Sequence, residues 1–247
     1  MNLTLEDSQH YRDEGYLVFP GLIHGESLTH FNHVLDTLVH RAKSIYASQD
    51  HFMLQPDGEG KPIPGRLQRV QGLCIVESRI LALAREPSIV ERVASLIGPQ
   101  LHMFGSKFFP MLPQGSTSTG WHQDNYYFGT NSDRVVSCCI YLEDTNRTNA
   151  CLRLLPKSHL TGALVEHSSG QATFSNGNWA QVDESQAVDV ECPGGTVVLF
   201  SANLLHGATT NSSDRSRYST AWHYIPADLD LEHFPYGDYR DRHLVRA

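Results

Sequence analysis

Residues 135–156 read VVSCCIYLEDTNRTNACLRLLP. The two apolar runs in this stretch, VVSCCIYLED and CLRLLP, have the length and composition of short strands, and the polar TNRTN between them is typical of a turn. Similar runs lie on both sides, at 101–109, 195–200 and 218–225, with turn residues at 113–120, 191–195 and 209–215. Many short strands separated by turns predict a sandwich or barrel rather than a parallel sheet. The expected fold class is therefore mainly β.

The first 100 residues have a different pattern and predict helices that flank the strands. Helices are expected over 4–14, 26–43 and 88–97, because each segment has helical spacing of apolar residues or recognisable start and stop residues. A short buried strand, YLVFPGLI at 16–23, separates the first two helices. We expect residues 1–100 to be a mainly helical support and lid for a β core at 101–247. Residues 1–247 are expected to form one domain, with two domains as the alternative.

Two polar segments interrupt this pattern. Residues 48–66 are rich in Gly and Pro and predict a loop, which is either a lid or a plain exposed connection. Residues 162–186 form a second polar insertion, expected at the rim of the β core, where it would cover a pocket.

Composition excludes several classes of protein. The chain has 247 residues, 40% of them hydrophobic, and a formal charge of −8, which argues against a nucleic-acid-binding surface but not against a small anionic substrate. No apolar stretch is long enough for a transmembrane helix, and the N-terminus lacks the apolar segment of a secretory signal. Five scattered cysteines without CxxC spacing predict reduced thiols in a cytoplasmic protein. The expected state is a monomer or small homo-oligomer.

The segment GWHQDN at 120–125 contains the most informative motif. If it lies on a strand, His122 and Asp124 point to the same face, because alternate side chains share a face. His206 follows the strand-like run at 195–200 and is the best candidate for a third ligand. Two His and one carboxylate on one face of a metal form the facial arrangement of non-haem Fe(II) oxygenases. Alone, the motif is also compatible with a surface His beside an Asp.

An arginine strengthens the interpretation. Arg217 lies eleven residues after His206, on a segment where Arg217, Ser219, Ala221 and His223 would share a strand face. A buried guanidinium binds a carboxylate through two parallel hydrogen bonds, and Ser219 would add another. Arg215 has the same strand parity and is the alternative.

Several segments together resemble the phytanoyl-CoA dioxygenase family of Fe(II)/2-oxoglutarate oxygenases. The resemblance covers most of the chain and lies in HYRDEGYLVFPGLI, WHQDNYYF, NACLRLLPKSH and CPGGTVVLFSANLLHG followed by NSSDRSR. It implies a double-stranded β-helix, or jelly roll, with Fe(II), 2-oxoglutarate and O₂ as cofactor and co-substrates. It also implies that His122, Asp124 and His206 bind iron and that Arg217 binds the distal carboxylate of 2-oxoglutarate.

The chain departs from the family pattern at a few positions. Ala150 and Lys157 stand where the family usually has Gly, and Ala208 stands at a position that is often Ser. One hydrogen bond to 2-oxoglutarate would then be either missing or supplied by Thr209. Cys139 stands where some relatives have Trp, so packing around the substrate or co-substrate would differ.

Other residues near these motifs are candidates for the substrate site. Lys107 precedes the metal strand and would reach 2-oxoglutarate or substrate, with a surface position as the alternative. Tyr126, Tyr127 and Phe128 follow the metal motif and would line the substrate entrance, or serve as ordinary packing.

Two arginines lie at or near the end of the 48–66 loop. If Arg66 and Arg69 face the pocket, they would pair with a carboxylate or phosphate of the substrate.

The sequence thus favours an oxygenase that hydroxylates, desaturates or cyclises a small organic molecule, of the kind found in secondary metabolism. Asp124 argues against halogenation, since related halogenases lack this carboxylate. Two other interpretations remain: a metal-dependent hydrolase that holds Zn²⁺ at the same site, and a non-catalytic jelly-roll binding protein.

Overall fold

The structure, a computed structural model, describes residues 2–116, 118–169, 178–233 and 241–247. These residues form fourteen strands, six α-helices and three short 3₁₀ helices. The helices are α1 (Leu5–Glu14), α2 (Gly25–Ala42), α3 (Leu73–Val76), α4 (Ile80–Ala84), α5 (Pro87–Ile97) and α6 (Asp124–Phe128). The strands of the first half are β1 (Tyr16–Phe19), β2 (Phe52–Pro56), β3 (Pro62–Gln71), β4 (Leu101–Phe109), β5 (Thr119–His122) and β6 (Val136–Tyr141). Those of the second half are β7 (Leu152–Leu154), β8 (Ser168–Ser169), β9 (Asn178–Trp179), β10 (Val188–Val190), β11 (Thr196–Ser201), β12 (His206–Ala208), β13 (Ser219–Pro226) and β14 (Arg242–Arg246).

Two antiparallel sheets form the core of the fold. The larger sheet has the order β1-β11-β6-β13-β4-β3-β2, with β14 also paired to β4, and the smaller has the order β10-β7-β12-β5. The crossed strand order, in which β11 lies between β1 and β6, is that of a jelly roll. The predicted fold class, mainly β with flanking helices, is therefore confirmed.

Two of the three buried hydrophobic clusters of the described residues show where the core lies. One lies between the larger sheet and the helices, where Leu35 of α2 and Ile89 of α5 belong to the same buried cluster as Trp222 of β13. A second cluster includes Leu154 of the smaller sheet and Phe200 of the larger one. The cavity described below also lies between the two sheets, so its walls rest on packed strands on both sides.

The helices predicted over 4–14, 26–43 and 88–97 correspond to α1, α2 and α5. Helix α1 begins at Thr4, whose hydroxyl accepts from the Asp7 backbone N–H while the Asp7 carboxylate accepts from the Thr4 backbone N–H. It ends at Gly15, whose φ of 90° suits glycine. Local capping chemistry therefore specified this element correctly.

The prediction of a polar loop over 48–66 is wrong. Most of it is a hairpin of β2 and β3, and β3 pairs with β4 of the larger sheet. The Gly- and Pro-rich residues form only the turn, where the Asp57 carboxylate accepts from the backbone N–H groups of Glu59 and Lys61. The first 100 residues therefore contribute three strands to the larger sheet in addition to the helices α1 to α5.

The insertion predicted over 162–186 lies partly outside the described residues, which omit 170–177. Its described parts form the two-stranded pair β8–β9. Over the described ranges, no helix has both the length and the hydropathy that a membrane span requires.

Candidate active site

Strand pairing brings the two histidines together. His206 of β12 is the cross-strand partner of His122 of β5, and their ring centroids lie 4.1 Å apart. The Nδ1 of His122 lies 2.9 Å from the Gly120 carbonyl, and the Nδ1 of His206 lies 3.0 Å from the Leu204 carbonyl. Because a carbonyl only accepts, each Nδ1 carries the proton and each Nε2 presents a lone pair. This tautomer leaves both Nε2 atoms free to bind a metal.

Asp124 completes the group from the first position of α6, not from a strand. β5 ends at His122, but Gln123 is still extended (φ −113°, ψ 129°), so the alternation carries over to Asp124 and the two side chains meet. The Asp124 carboxylate oxygens lie 3.6 Å from the Nε2 of His122 and 3.6 Å from the Nε2 of His206. All ligand atoms of the three buried residues lie within 4.8 Å of one another. Two imidazole nitrogens and one carboxylate oxygen at this spacing suit Fe(II).

Hydrogen bonds fix the start of α6. Asn125 donates from its backbone to the Ala202 carbonyl at 3.0 Å and from its amide to the Asn203 Oδ1 at 2.7 Å. Gln123 donates to the Asn203 carbonyl at 2.7 Å and accepts from the Val165 N–H at 2.8 Å. The residues on both sides of Asp124 are therefore held by hydrogen bonds, which fix the position of Asp124 between them.

A buried chain of hydrogen bonds reaches Asp124 from the larger sheet. Ser137 lies 2.6 Å from the Asp124 carboxylate and 3.1 Å from the His223 Nδ1, and the Lys107 ammonium lies 3.4 Å from the His223 Nε2. A carboxylate only accepts and an ammonium only donates, so the direction is fixed. Lys107 donates to His223, His223 donates to Ser137, and Ser137 donates to Asp124.

The protonation states suit metal binding. Burial lowers the pKa of His206 to about 4 and that of His223 to about 3, so both imidazoles are neutral at pH 7. Burial opposes ionisation of Asp124, but the facing His206, His223 and His122 outweigh it and hold its pKa well below the usual value. The site thus presents neutral nitrogens and an ionised carboxylate.

Arg217 lies buried at another wall of the same cavity, with a side-chain environment built for a guanidinium. It donates to the Ser219 hydroxyl and, at 2.6 Å, to the Ala150 carbonyl, and lies 5.0 Å from the centre of the Tyr141 ring. No carboxylate of the described residues forms an ion pair with it, although it is 3% exposed. Arg215, the alternative, is exposed. A buried cation of this kind is suited to an anionic ligand.

A cavity of about 420 Å³ joins these groups. It is lined by the three candidate iron ligands, by Arg217 and Ser219, and by apolar side chains of both sheets. This size is typical of a small-molecule site.

The sequence model described as phytanoyl-CoA dioxygenase (PhyH) matches residues 11–219. The chain belongs to the phytanoyl-CoA dioxygenase family. Its curated relatives include a probable alpha-ketoglutarate-dependent hypophosphite dioxygenase of Stutzerimonas stutzeri, 25% identical over 95% of this chain and 83% of the relative. The human peroxisomal phytanoyl-CoA dioxygenase is 23% identical over 92% of this chain and 69% of that protein.

Solved structures of this fold support the same architecture. EctD from S. alaskensis with 2-oxoglutarate and 5-hydroxyectoine has a TM-score of 0.74 and 17% identity, covering 99% of this chain and 83% of EctD. The epimerase SnoN in complex with Fe3+, alpha ketoglutarate and nogalamycin RO has a TM-score of 0.70 and 21% identity, covering 90% of this chain and 83% of SnoN.

The family assignment confirms the predicted enzyme class. This member of the phytanoyl-CoA dioxygenase family is an Fe(II)- and 2-oxoglutarate-dependent dioxygenase, and its His122, Asp124 and His206 are a triad suited to iron. The assignment favours an oxygenase over a zinc hydrolase or a non-catalytic binding protein.

Five of the remaining predicted site residues line the cavity of this dioxygenase: Arg69, Lys107, Tyr127, Phe128 and Cys139. Tyr127 donates to the Asn178 carbonyl at 3.0 Å, and the Phe128 ring lies 4.8 Å from the His223 ring. Burial raises the pKa of the Cys139 thiol to about 12, so this part of the cavity wall is uncharged.

Three other predicted residues lie elsewhere in the described structure. Arg66 donates to Gln55 at 2.8 Å and to the Pro113 carbonyl at 2.7 Å. Tyr126 is 37% exposed and stacks on His167 at 4.0 Å. Thr209 borders a separate cleft behind β5 and β12, and its hydroxyl donates to the Arg147 carbonyl at 3.3 Å. None of the three lines the cavity that holds the triad.

Sequence reasoning did not assign roles to three cavity residues: Gln71, Ser137 and His223. His223 had been placed on the same strand face as Arg217, and Ser137 is a single hydroxyl within an apolar run. Gln71 follows the segment predicted as a loop. Only the pairing of β3, β4, β13 and β6 shows that these side chains meet.

Proposed function

We propose that this enzyme oxidises a C–H bond of a small organic molecule in the cavity between its two sheets, with release of succinate and CO₂. The observation that carries the proposal is the buried cation Arg217 in the same cavity as the iron-binding triad. Iron with 2-oxoglutarate, when bound, supplies the activation of O₂ and the oxidising power for the substrate. The protein supplies geometry and an enclosed site.

His122, Asp124 and His206 are proposed to hold the ion on one face, since their ligand atoms converge. Ser137 orients the Asp124 carboxylate by donating to one of its oxygens. Arg217 and Ser219 are proposed to bind the distal carboxylate of 2-oxoglutarate. Lys107 lies within the same cavity and is a further candidate for contact with 2-oxoglutarate or substrate.

The reaction proposed is hydroxylation, with desaturation or cyclisation as related outcomes, and not halogenation. Asp124, whose carboxylate is ionised, would hold the iron at the position that a halide would need. A chlorinated product from the wild-type enzyme in the presence of chloride would contradict this assignment.

Several further points belong to the proposal. The pairing of β1 with β11 and of β3 with β4 supports a single domain. The five free cysteines support a reducing, cytoplasmic location, and the acidic net charge supports a small-molecule substrate over nucleic acid. We propose a monomer or small homo-oligomer.

The test is anaerobic addition of Fe(II) and 2-oxoglutarate, followed by O₂. We expect a metal-to-2-oxoglutarate absorption band and then O₂-dependent succinate release, both absent from His122→Ala and Asp124→Ala. A wild-type protein that binds Fe(II) but shows neither band nor succinate would refute the proposal.

A further inference from the structure

The chain of hydrogen bonds behind Asp124 crosses three strands of the larger sheet. Ser137 on β6 and His223 on β13 are cross-strand partners, and Lys107 lies on β4, the next strand. The register between β13 and β4 shifts just before His223, at the kind of irregularity that redirects a side chain beside an active site. The Lys107 ammonium thereby comes within 3.4 Å of the His223 Nε2, although the two residues are not cross-strand partners.

The three contacts of this chain need three hydrogens, and one tautomer of His223 provides them. The ammonium supplies the hydrogen to Nε2, which therefore carries a lone pair. The imidazole then holds its proton on Nδ1 and donates it to the Ser137 hydroxyl at 3.1 Å. Ser137 keeps its own hydrogen for the Asp124 carboxylate at 2.6 Å.

The other tautomer of His223 breaks this order. A proton on Nε2 would face the donating ammonium, and Nδ1 would compete with Asp124 for the one hydrogen of Ser137. Ser137, His223 and Asp124 are each 5% exposed or less, so water does not readily replace a missing hydrogen. Lys107 thus favours the tautomer that leaves the Ser137 hydrogen to Asp124.

We propose that Lys107 and His223 are positioning residues, which orient the Asp124 carboxylate for the metal by acting through Ser137. This inference rests on the proposed function, because it takes Asp124 as an iron ligand. An ammonium has three N–H groups, so this role is compatible with contact to a ligand in the cavity that Lys107 lines.

The charge of Lys107 alone would have the opposite effect on metal binding. Lys107 and the triad line the same cavity, and a positive charge there repels a second cation. Burial lowers the pKa of Lys107, whereas the nearby Asp124 carboxylate raises it, which shows that the two groups interact. Loss of the charge should therefore tighten Fe(II) binding unless the positioning role is the larger effect.

The tautomer of His223 is measured by ¹⁵N NMR on the protein loaded with Zn(II), a diamagnetic ion that accepts the same His and Asp ligands. We expect His223 to carry its proton on Nδ1 in wild type and to lose this preference in Lys107→Met. The spectrum of His223→Asn identifies the His223 signals by their absence. Nε2–H as the main tautomer in wild type would overturn the proposal.

Fe(II) titration of the anaerobic apoprotein measures the effect on the metal site. We expect Lys107→Met and His223→Leu to weaken Fe(II) binding roughly three- to tenfold, less than loss of a group that contacts the metal ligand itself. His223→Asn should retain more of the affinity than His223→Leu, because an Asn amide can offer an N–H near the position of Nδ1. Lys61→Met is the matched control, since Lys61 is exposed in the turn of the β2–β3 hairpin.

Double variants test whether the effect passes through Ser137. In a Ser137→Ala protein the orienting hydroxyl is gone, and only the charge of Lys107 still acts on the metal site. Adding Lys107→Met to Ser137→Ala should then leave the Fe(II) affinity unchanged or raise it, although the same change weakens binding in wild type. This difference distinguishes positioning from a general loss of structure, which would weaken binding in both proteins.

Three results of the titrations would overturn the proposal while the iron site itself stands. They are unchanged or tighter Fe(II) binding in Lys107→Met alone, an equal weakening by Lys107→Met with and without the Ser137 hydroxyl, and an affinity of His223→Asn no higher than that of His223→Leu. Failure of the wild-type protein to bind Fe(II) would count against the proposed function instead.

Discussion

At the scale of single residues, the site depends on how Asp124 is held as much as on its presence. Its carboxylate would share its oxygens between the metal and the Ser137 hydroxyl, which lies 2.6 Å away. Ser137 in turn accepts from His223, so the orientation of Asp124 is set from the larger sheet. Hydrogen bonds of this kind to metal ligands contribute to metal affinity.

We predict that Ser137→Ala weakens Fe(II) binding by roughly 10- to 100-fold because the Asp124 carboxylate loses its orienting donor. Fe(II) titration of the anaerobic apoprotein measures this. Ser95→Ala is the control, since Ser95 is exposed on α5 and donates only to the Glu91 carbonyl. An Fe(II) affinity unchanged in Ser137→Ala would show that Ser137 does not orient the ligand.

We predict that Arg217→Ala weakens 2-oxoglutarate binding by roughly 10- to 100-fold, because a charged hydrogen-bonded pair contributes about 1.5–3 kcal/mol. Arg215→Ala should bind 2-oxoglutarate like wild type, since Arg215 is exposed. Titration of the anaerobic Fe(II) protein with 2-oxoglutarate measures both. A larger loss in Arg215→Ala would transfer the assignment to that residue.

A site residue is predictable from the sequence where a local motif contains it. It is not predictable where only the pairing of distant strands brings it to the site. His122, His206 and Arg217 follow from local motifs in their order along the chain. Strand alternation points to Asp124 as well, and although Asp124 itself belongs to α6, the extended Gln123 keeps it on the same side as His122. Gln71 and Ser137 carry no local signal, because their proximity depends on which strands neighbour each other.

At the scale of elements, the hairpin of β2 and β3 is the main departure from prediction. Its turn is rich in Gly, Pro and charged residues. These residues make the whole segment resemble a loop, although apolar residues of the two strands lie on either side of the turn. Phe52, Leu54, Leu67 and Val70 are all buried at 3% exposure or less, so the strands are fixed by burial against the sheet. Polar residues that face the cavity, such as Arg69 and Gln71, weaken the alternation of apolar and polar side chains along β3. A strand of this kind is hard to distinguish from a loop by its sequence.

A second element-scale feature is the contact between the start of β11 and the segment after β1. The Gly195 carbonyl accepts from the Ile23 N–H at 2.9 Å. The φ of Gly195 is 82°, and a Cβ at this position would overlap the Ile23 carbonyl oxygen. Both the backbone conformation and the close approach require glycine.

We therefore predict that Gly195→Ala destabilises the fold by at least about 2 kcal/mol and lowers the Tm by at least about 4 °C. Thermal unfolding followed by circular dichroism measures the shift. Gly58→Ala is the matched control, since nothing lies within 4 Å of a Cβ there. Equal Tm values for the two variants would contradict this account.

At the scale of the whole molecule, buried thiols are spread over the core. Burial raises the pKa of Cys74, Cys139 and Cys151 to about 12, against an ordinary value of 9.0. The unfolded chain therefore releases these protons at a lower pH than the folded one. Stability from the protonated thiols is full below pH 9 and is lost as the pH rises from about 9 toward 12.

We predict that the free energy of unfolding falls by up to about 1.4 kcal/mol per buried thiol for each pH unit above 9. Urea unfolding at pH 8 and pH 10 measures the fall, and Cys74→Ala should show a smaller one. A fall in Cys74→Ala as large as in wild type would rule out that thiol as a source.

The position of the hairpin has a consequence for how such an enzyme diversifies. The three residues of the triad suited to iron lie after residue 118, whereas Arg69 and Gln71, which line the same cavity, lie in the hairpin of β2 and β3. Exchange of that one contiguous segment would change a wall of the cavity without replacing any residue of the triad. One wall of the cavity and the triad are thus encoded in separate stretches of the gene.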